Sequence, residues 1–213
     1  MQLDLLANGD RGAGEVVRFT LPDADVTLWP GFLARSEADR GLVALQRELV
    51  WRQDTIQMWG RTYDVPRLQQ WCADPGLCYT WSGIRMEPAP WHPLLLALRG
   101  RLRALLGIDF NSALANLYRD GRDTVGWHAD DEPELGEAPI IASVSLGATR
   151  DFVLRHRRRR ELPVTTIPLE HGSLLVMRGA TQACWEHALP RRLRVAAPRV
   201  NLTFRVARAE GSI

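Results

Sequence analysis

The hydrophobic pattern changes its period near residue 110, and this change constrains the fold more than any other feature of the sequence. Before it, residues 35–51 and 92–107 carry apolar side chains at helical spacing, and Ser36 is a candidate N-cap of the first helix. After it, apolar and polar residues alternate with a period of two in four segments, at residues 112–121, 140–156, 164–179 and 198–208. Helices followed by antiparallel strands predict an α+β protein with a β-sandwich or jelly-roll core and the N-terminal helices packed on one side.

The length of 213 residues suits one domain, without internal repeats or low-complexity linkers. We expect residues 1–25 to be a polar, partly loose extension and residues 26–213 to form the domain. No apolar run is long enough to span a membrane, and the N-terminus lacks a secretory signal. The three cysteines form no close pair. These features predict a cytoplasmic protein without a membrane partner, and we expect a monomer.

The polar faces of three predicted strands carry ligand-type side chains. In the last strand, one face carries Val200, Leu202, Phe204 and Val206, and the other carries Arg199, Asn201, Thr203 and Arg205. The same spacing places Asn116 with Tyr118, and His128 with Asp130. An edge strand would turn such a face toward water. If the three faces instead point into the mouth of a barrel, they form one polar pocket.

His128 and Asp130 are two members of a possible metal site. A mononuclear Fe(II) oxygenase uses two histidines and one carboxylate, which leaves three coordination positions open. The third ligand must come from farther along the chain, and the candidates are His156, His171 and His187. Because His156 lies within a run of arginines and His171 precedes a glycine in a predicted turn, His187 is the best candidate.

Six segments, "NLY", "HADDE", "IASVSLGATRDFVLRH", "PLEHGSLLVM", "HALP" and "PRVNLTFR", resemble the AlkB-type Fe(II)/2-oxoglutarate dioxygenases. The resemblance extends from about Trp51 to Arg205 and is strongest to the branch that repairs alkylated duplex DNA. It implies a nucleotide-recognition lid at about residues 51–90 and Fe(II) ligands at His128, Asp130 and His187. The 2-oxoglutarate contacts that it implies are Asn116, Tyr118, Arg199, Asn201, Thr203 and Arg205.

The resemblance also implies an activity. Fe(II), 2-oxoglutarate and O2 would support oxidative demethylation of N-alkylated bases such as 1-methyladenine and 3-methylcytosine in DNA, with release of formaldehyde. The implied base-pocket residues are Tyr79, Trp81 and Asp131, with Glu132 adjacent. A carboxylate here would favour a cationic methylated base. Alternatively, Asp131 or Glu132 simply pairs with a pocket arginine.

The segment "TIQMWGRTYDVPR" places Met58 and Trp59 where the duplex-repair branch has an apolar wedge that fills the gap left by a flipped base. Two departures put the lesion preference in doubt: the wedge is a tryptophan, and Trp71-Cys72-Ala73 replaces an expected Tyr-Gly-Asp.

The arginine run at 155–160 is either a solvated loop or a phosphate-contacting patch. We therefore expect duplex DNA to be the preferred substrate, with single-stranded DNA as an alternative substrate. Two alternative functions remain, an RNA demethylase and a non-catalytic nucleic-acid-binding relative.

Overall fold

A computed structural model of the protein describes residues 14–58, 60–77, 79–81 and 84–208. Its helices are α1 (Arg35–Glu48), α2 (Pro93–Leu106) and the single turn α3 (Thr181–Cys184), and a short 3-10 helix covers Pro133–Leu135. Its strands are β1 (Val17–Phe19), β2 (Asp25–Trp29), β3 (Thr55–Met58), β4 (Arg61–Asp64), β5 (Leu68–Ala73), β6 (Tyr79–Trp81), β7 (Ile84–Met86), β8 (Ser112–Tyr118), β9 (Val125–His128), β10 (Ile141–Gly147), β11 (Arg150–His156), β12 (Thr165–Leu169), β13 (Leu174–Arg178), β14 (Trp185–Leu189) and β15 (Arg199–Arg205).

Two antiparallel sheets form the core. The larger has the order β1-β2-β13-β10-β15-β8-β5, and the smaller has the order β12-β11-β14-β9. One apolar cluster lies between the sheets and includes Ile141 and Leu154. A second joins the opposite face of the larger sheet to α1 and α2, and includes Leu98 and Phe204. This arrangement confirms the predicted α+β fold, with a jelly-roll core and helices on one side.

The first helix begins differently from the prediction. Its N-cap is Ala34, whose carbonyl oxygen accepts the backbone N–H groups of Glu37 and Ala38, and no side chain caps the helix. The predicted Ser36 cap is therefore wrong, because Ser36 already lies within the first helical turn. The second helix is capped by the ring of His92, which accepts the N–H of Leu94 at 3.2 Å.

The N-terminal boundary also differs. Within the predicted extension, Val17–Phe19 pairs with β2 at the edge of the larger sheet. The backbone oxygen of Pro22 accepts the indole N–H of Trp185 at 2.9 Å. Residues 17–25 are thus fixed by sheet pairing and a buried tryptophan rather than loose, and residues 1–13 lie outside the described part of the chain.

The predicted lid, residues 51–90, contains two hairpins and one core strand. Strands β3 and β4 form one two-stranded sheet, and β6 and β7 form the other. Strand β5 instead pairs with β8 and belongs to the larger sheet. Among the described residues, no helix combines the length and apolarity that crossing a bilayer would require.

Candidate active site

A polar pocket lies between the two sheets. Strand β15 pairs with β8 so that Arg199 is opposite Tyr118 and Asn201 is opposite Asn116. All seven residues of β15 are buried, and Arg199, Asn201, Thr203 and Arg205 all line the pocket. The polar face of this strand therefore does not point to water, as an edge strand would require. Val206 is 40% exposed because it follows the end of the strand, so its predicted place on the apolar face is wrong.

The smaller sheet brings the predicted metal ligands together. His128 on β9 is directly paired with His187 on β14. The donor atoms of these two residues and of Asp130 all lie within 4.8 Å of one another. The Nδ1 atom of His128 is 2.9 Å from the carbonyl oxygen of Gly126, which can only accept, so Nδ1 carries the proton and Nε2 is the available metal donor. Two imidazoles and one carboxylate fit a mononuclear Fe(II) site.

The electrostatics of this cluster also suit a divalent cation. Burial alone would raise the pKa of Asp130, but the positive charge of Arg205 and the electrostatic interactions with the two imidazoles outweigh it, so the pKa is lowered and the carboxyl group is ionised. Burial lowers the pKa of His187 to about 3, so this imidazole is neutral at neutral pH. Metal ligation needs a deprotonated carboxylate and a neutral imidazole.

The two other candidate histidines lie elsewhere and have structural contacts. The Nδ1 atom of His156 accepts the backbone N–H groups of Arg158 and Arg159 at 3.2 and 2.9 Å. The Nδ1 atom of His171 accepts the N–H of Gly147 at 2.7 Å. Each histidine therefore fixes a turn, and neither belongs to the cluster of His128, Asp130 and His187.

The opposite wall of the pocket is suited to a carboxylate. Arg199 is 2% exposed, donates to Ser145 Oγ at 2.9 Å and lies over the ring of Tyr118 at 5.2 Å. Burial lowers its pKa to about 10, so it remains cationic at neutral pH. Asn201 donates to Ser143 Oγ at 2.7 Å and accepts from Thr203 at 3.0 Å. A buried cation beside fixed neutral hydrogen-bonding groups can hold a small carboxylic acid.

The sequence of the described core matches a known family model. Residues 25–205 match the model of the 2OG-Fe(II) oxygenase superfamily. The human protein named alpha-ketoglutarate-dependent dioxygenase alkB homolog 3 is 48% identical over an alignment of 188 residues, and the match covers 84% of this chain and 65% of that protein. The human DNA oxidative demethylase ALKBH2 is 41% identical over an alignment of 207 residues, and the match covers 93% of this chain and 79% of that protein. The chain is an AlkB-type 2OG-Fe(II) oxygenase.

A solved structure agrees at the level of the fold. The structure of OsALKBH1 superposes with a TM-score of 0.60 at 17% identity, and the match covers 89% of this chain and 99% of that one. This chain spans only 65% of the length of the human alkB homolog 3 protein.

Several residues that line or support the pocket of this AlkB-type domain were not predicted from the sequence. Arg67 and Gln69 both donate to Asn116 Oδ1, at 2.8 and 3.0 Å, and so fix one of the predicted 2-oxoglutarate contacts. The alternation in "SVS" could have revealed Ser143, because β10 pairs with β15. By contrast, no local pattern marks Gln182, whose Oε1 accepts the backbone N–H of Asp130 at 2.9 Å.

The predicted substrate-side residues fall partly within the described chain. Asp131 is exposed and pairs at 2.7 Å with Arg157, an arginine of the run at 155–160 and not one of the arginines that line the pocket. Glu132 is half-buried and occupies the N-cap position of the 3-10 helix, where its backbone oxygen accepts the N–H of Leu135 at 2.9 Å. Three other predicted residues lie in strands β3 and β6, but their side chains are outside the description: Met58, Tyr79 and Trp81. Trp59 lies wholly outside the described residues.

The arginine run at 155–160 is not one uniform patch. Arg155 pairs with Glu186 at 2.7 Å and lies 4.3 Å over the ring of Trp127. Arg159 pairs with Glu161 at 3.1 Å. Arg158 and Arg160 are exposed. Part of the run is therefore neutralised by local carboxylates, and the rest faces solvent.

Proposed function

We propose that this protein is an Fe(II)/2-oxoglutarate-dependent enzyme that removes alkyl groups from nucleic-acid bases by direct reversal. The observation that carries the proposal is one pocket holding both the His128, Asp130 and His187 cluster and the buried cation Arg199. A metal-chelating dicarboxylate needs both features at once. The names of the two human relatives, a dioxygenase and a DNA oxidative demethylase, support the same reaction class.

Each pocket residue then has a defined task. When bound, Fe(II) and 2-oxoglutarate supply, with O2, the oxidising equivalents that hydroxylate an N-methyl group. His128 and His187 would bind the metal as neutral imidazoles, and Asp130 would offset part of its charge. Arg199 would hold the distal carboxylate of 2-oxoglutarate, and Tyr118 would add a neutral contact. The hydroxymethyl product loses formaldehyde and leaves the unmodified base.

Duplex DNA is the first substrate in this proposal. Met58 pairs with Arg61 at the end of the β3–β4 hairpin, and Gly60 adopts a left-handed φ of 73° there. All four residues of β4 are exposed, so this hairpin projects from the core. An apolar wedge at such a tip would reach a flipped base pair. Single-stranded DNA and RNA are the alternatives, and the complete His-Asp-His set disfavours a purely binding function.

Formaldehyde release tests the proposal. Matched single- and double-stranded oligonucleotides, of DNA and of RNA, would carry 1-methyladenine or 3-methylcytosine. We expect release that depends on Fe(II) and 2-oxoglutarate and is greatest on DNA. His187→Ala should abolish release, whereas His171→Ala should retain it because His171 lies outside the cluster. Full activity of folded His187→Ala protein would refute the metal assignment, and release from RNA alone would identify an RNA demethylase.

A further inference from the structure

Arg150 is a buried arginine behind the pocket wall. It is the first residue of β11 and is only 2% exposed. Its guanidinium carbon lies 5.8 Å from the ring centroid of Tyr118, the same ring that Arg199 contacts at 5.2 Å. The neighbouring carboxylates of Asp120 and Asp123 are engaged elsewhere, with Arg122 and Arg119. A buried charge in this position needs other acceptors.

Three backbone carbonyl groups provide them. The Nη1 atom of Arg150 donates to the oxygen of Asp120 at 3.2 Å, and Nη2 donates to the oxygens of Asp123 and Pro190 at 2.9 and 2.8 Å. Asp120 follows the end of β8, Asp123 precedes β9, and Pro190 follows the end of β14. One planar side chain thus joins the ends of three strands that carry pocket residues. A lysine could not make this set of bonds, because it has no fork of donors.

The two loops that Arg150 joins are also bonded to each other. The N–H of Gly121 donates to the oxygen of Val195 at 2.7 Å, and the N–H of Arg192 donates to the oxygen of Gly121 at 2.8 Å. A Cβ atom at position 121 would lie 1.8 Å from the carbonyl oxygen of Arg192, so only glycine fits this approach. The loop at 119–124 and the loop at 190–195 therefore close as one unit beside Tyr118.

The contact between these two loops affects the positions of Tyr118 and Arg199 more than it affects the metal ligands. Tyr118 ends β8, directly before the first loop, and Arg199 begins β15 after the second. By contrast, His128 and His187 are fixed by their direct pairing, and Asp130 is held by Gln182 and Arg205. Loosening the two loops would displace Tyr118 and Arg199 while leaving the three metal ligands in place.

We propose that Arg150 is a positioning residue for 2-oxoglutarate. It holds together the two loops that fix the positions of Tyr118 and Arg199. The inference rests on the proposed function, because it assumes that this pocket binds 2-oxoglutarate. Arg150 itself stands behind Tyr118 and acts through it, without contacting the reacting atoms.

Calorimetric titration of the protein loaded with Mn(II) tests the inference. Arg150→Lys keeps the charge but loses most of the carbonyl bonds, and Arg150→Met loses both. We expect each variant to raise the Kd for 2-oxoglutarate by about tenfold or more, since hydrogen bonds from charged groups are among the stronger ones. The Kd for Mn(II) should change by less than about threefold. Arg101→Lys is the matched control, because Arg101 also donates to a backbone carbonyl, that of Phe32, far from the pocket.

A second measurement needs no variant. In the wild-type protein, binding of 2-oxoglutarate should slow amide hydrogen exchange at Gly121 and Arg192, because the clamped loops tighten around the occupied pocket. Unchanged 2-oxoglutarate affinity in folded Arg150→Lys protein would overturn the inference, as would equal losses of Mn(II) and 2-oxoglutarate affinity or unchanged exchange at the two amides. Failure of the wild-type protein to bind 2-oxoglutarate at all would instead refute the proposed function.

Discussion

The guanidinium of Arg205 donates to Oδ1 of Asp130, and this ion pair is buried between the two sheets. The two residues are 75 positions apart in the chain, and β15 and the turn after β9 bring them together. Asp130 therefore has a fixed cationic partner, and its backbone N–H is bound by Gln182. Two separate groups orient the carboxylate that we assign to the metal.

Replacing Gln182 tests whether this orientation matters. In Gln182→Ala the backbone N–H of Asp130 loses its acceptor, and the carboxylate becomes less well aimed at the metal. Loss of an outer-shell partner typically lowers metal affinity by about 10- to 100-fold, and we expect a loss in that range. Competition with a metal-sensitive dye would measure the Mn(II) affinity. Gln46→Ala on α1 is the control, and equal affinities in the two variants would contradict the role of Gln182.

The buried imidazole of His187 makes the metal-free protein sensitive to acid. Its folded pKa is about 3, below the ordinary value of 6.5, so between these pH values the unfolded chain binds a proton that the folded chain does not. Unfolding is therefore favoured as the pH falls, by about 1.4 kcal/mol per pH unit below 6.5. Asp130 adds nothing above about pH 5, because its carboxyl group is ionised in both states there.

Urea denaturation of chelator-treated protein at pH 7 and pH 5 would measure this effect. We expect the wild-type protein to lose about 2 kcal/mol more than His187→Gln between these two conditions, because glutamine does not titrate. Identical pH dependence in the two proteins would show that His187 takes up its proton in the folded state as readily as in the unfolded chain.

How much of the fold and of the site could be predicted depended on how far apart in the sequence the contacting residues lie. Alternation of side chains on β15 predicted which residues share its polar face, since a strand's two faces follow from its own residues, but it left open whether that face is buried. The association of His128 with His187 was predicted by excluding the other histidines and by the family resemblance, and not by any local pattern. The roles of Gln182 and Arg150 could not be predicted, because both side chains bind backbone atoms of distant segments. The pattern of side chains in the sequence gives no information about such contacts.

Arg199→Ala should weaken binding of 2-oxoglutarate far more than binding of metal. Loss of a buried charge-assisted pair costs about 3 kcal/mol or more, which corresponds to roughly a hundredfold rise in Kd. Titration of 2-oxoglutarate into the Mn(II)-loaded variant would measure it. Arg194→Ala, an exposed arginine in the same β14–β15 loop, is the matched control. An unaltered Kd in Arg199→Ala would move the carboxylate anchor to Arg205.

Trp59→Ala should separate activity on duplexes from activity on single strands. Breaking the pairing and stacking of one base costs a few kcal/mol, and an inserted aromatic ring returns roughly 1 to 3 kcal/mol. A single strand has no vacated stack to fill. We therefore expect demethylation of double-stranded DNA to fall by about tenfold or more, with single-stranded activity nearly unchanged. Equal losses on both substrates would assign Trp59 to packing of the lid, and no loss on either would make Met58 the next residue to test.

Strands β8 and β15 have no residue that faces solvent, because one face of each packs on the helical side and the other lines the pocket. Any substitution there alters either the packing of the core or the chemistry of the site. Libraries that aim to change which lesion is accepted are therefore best confined to the two hairpins of the predicted lid. The strands of those hairpins take no part in the pairing of the two core sheets.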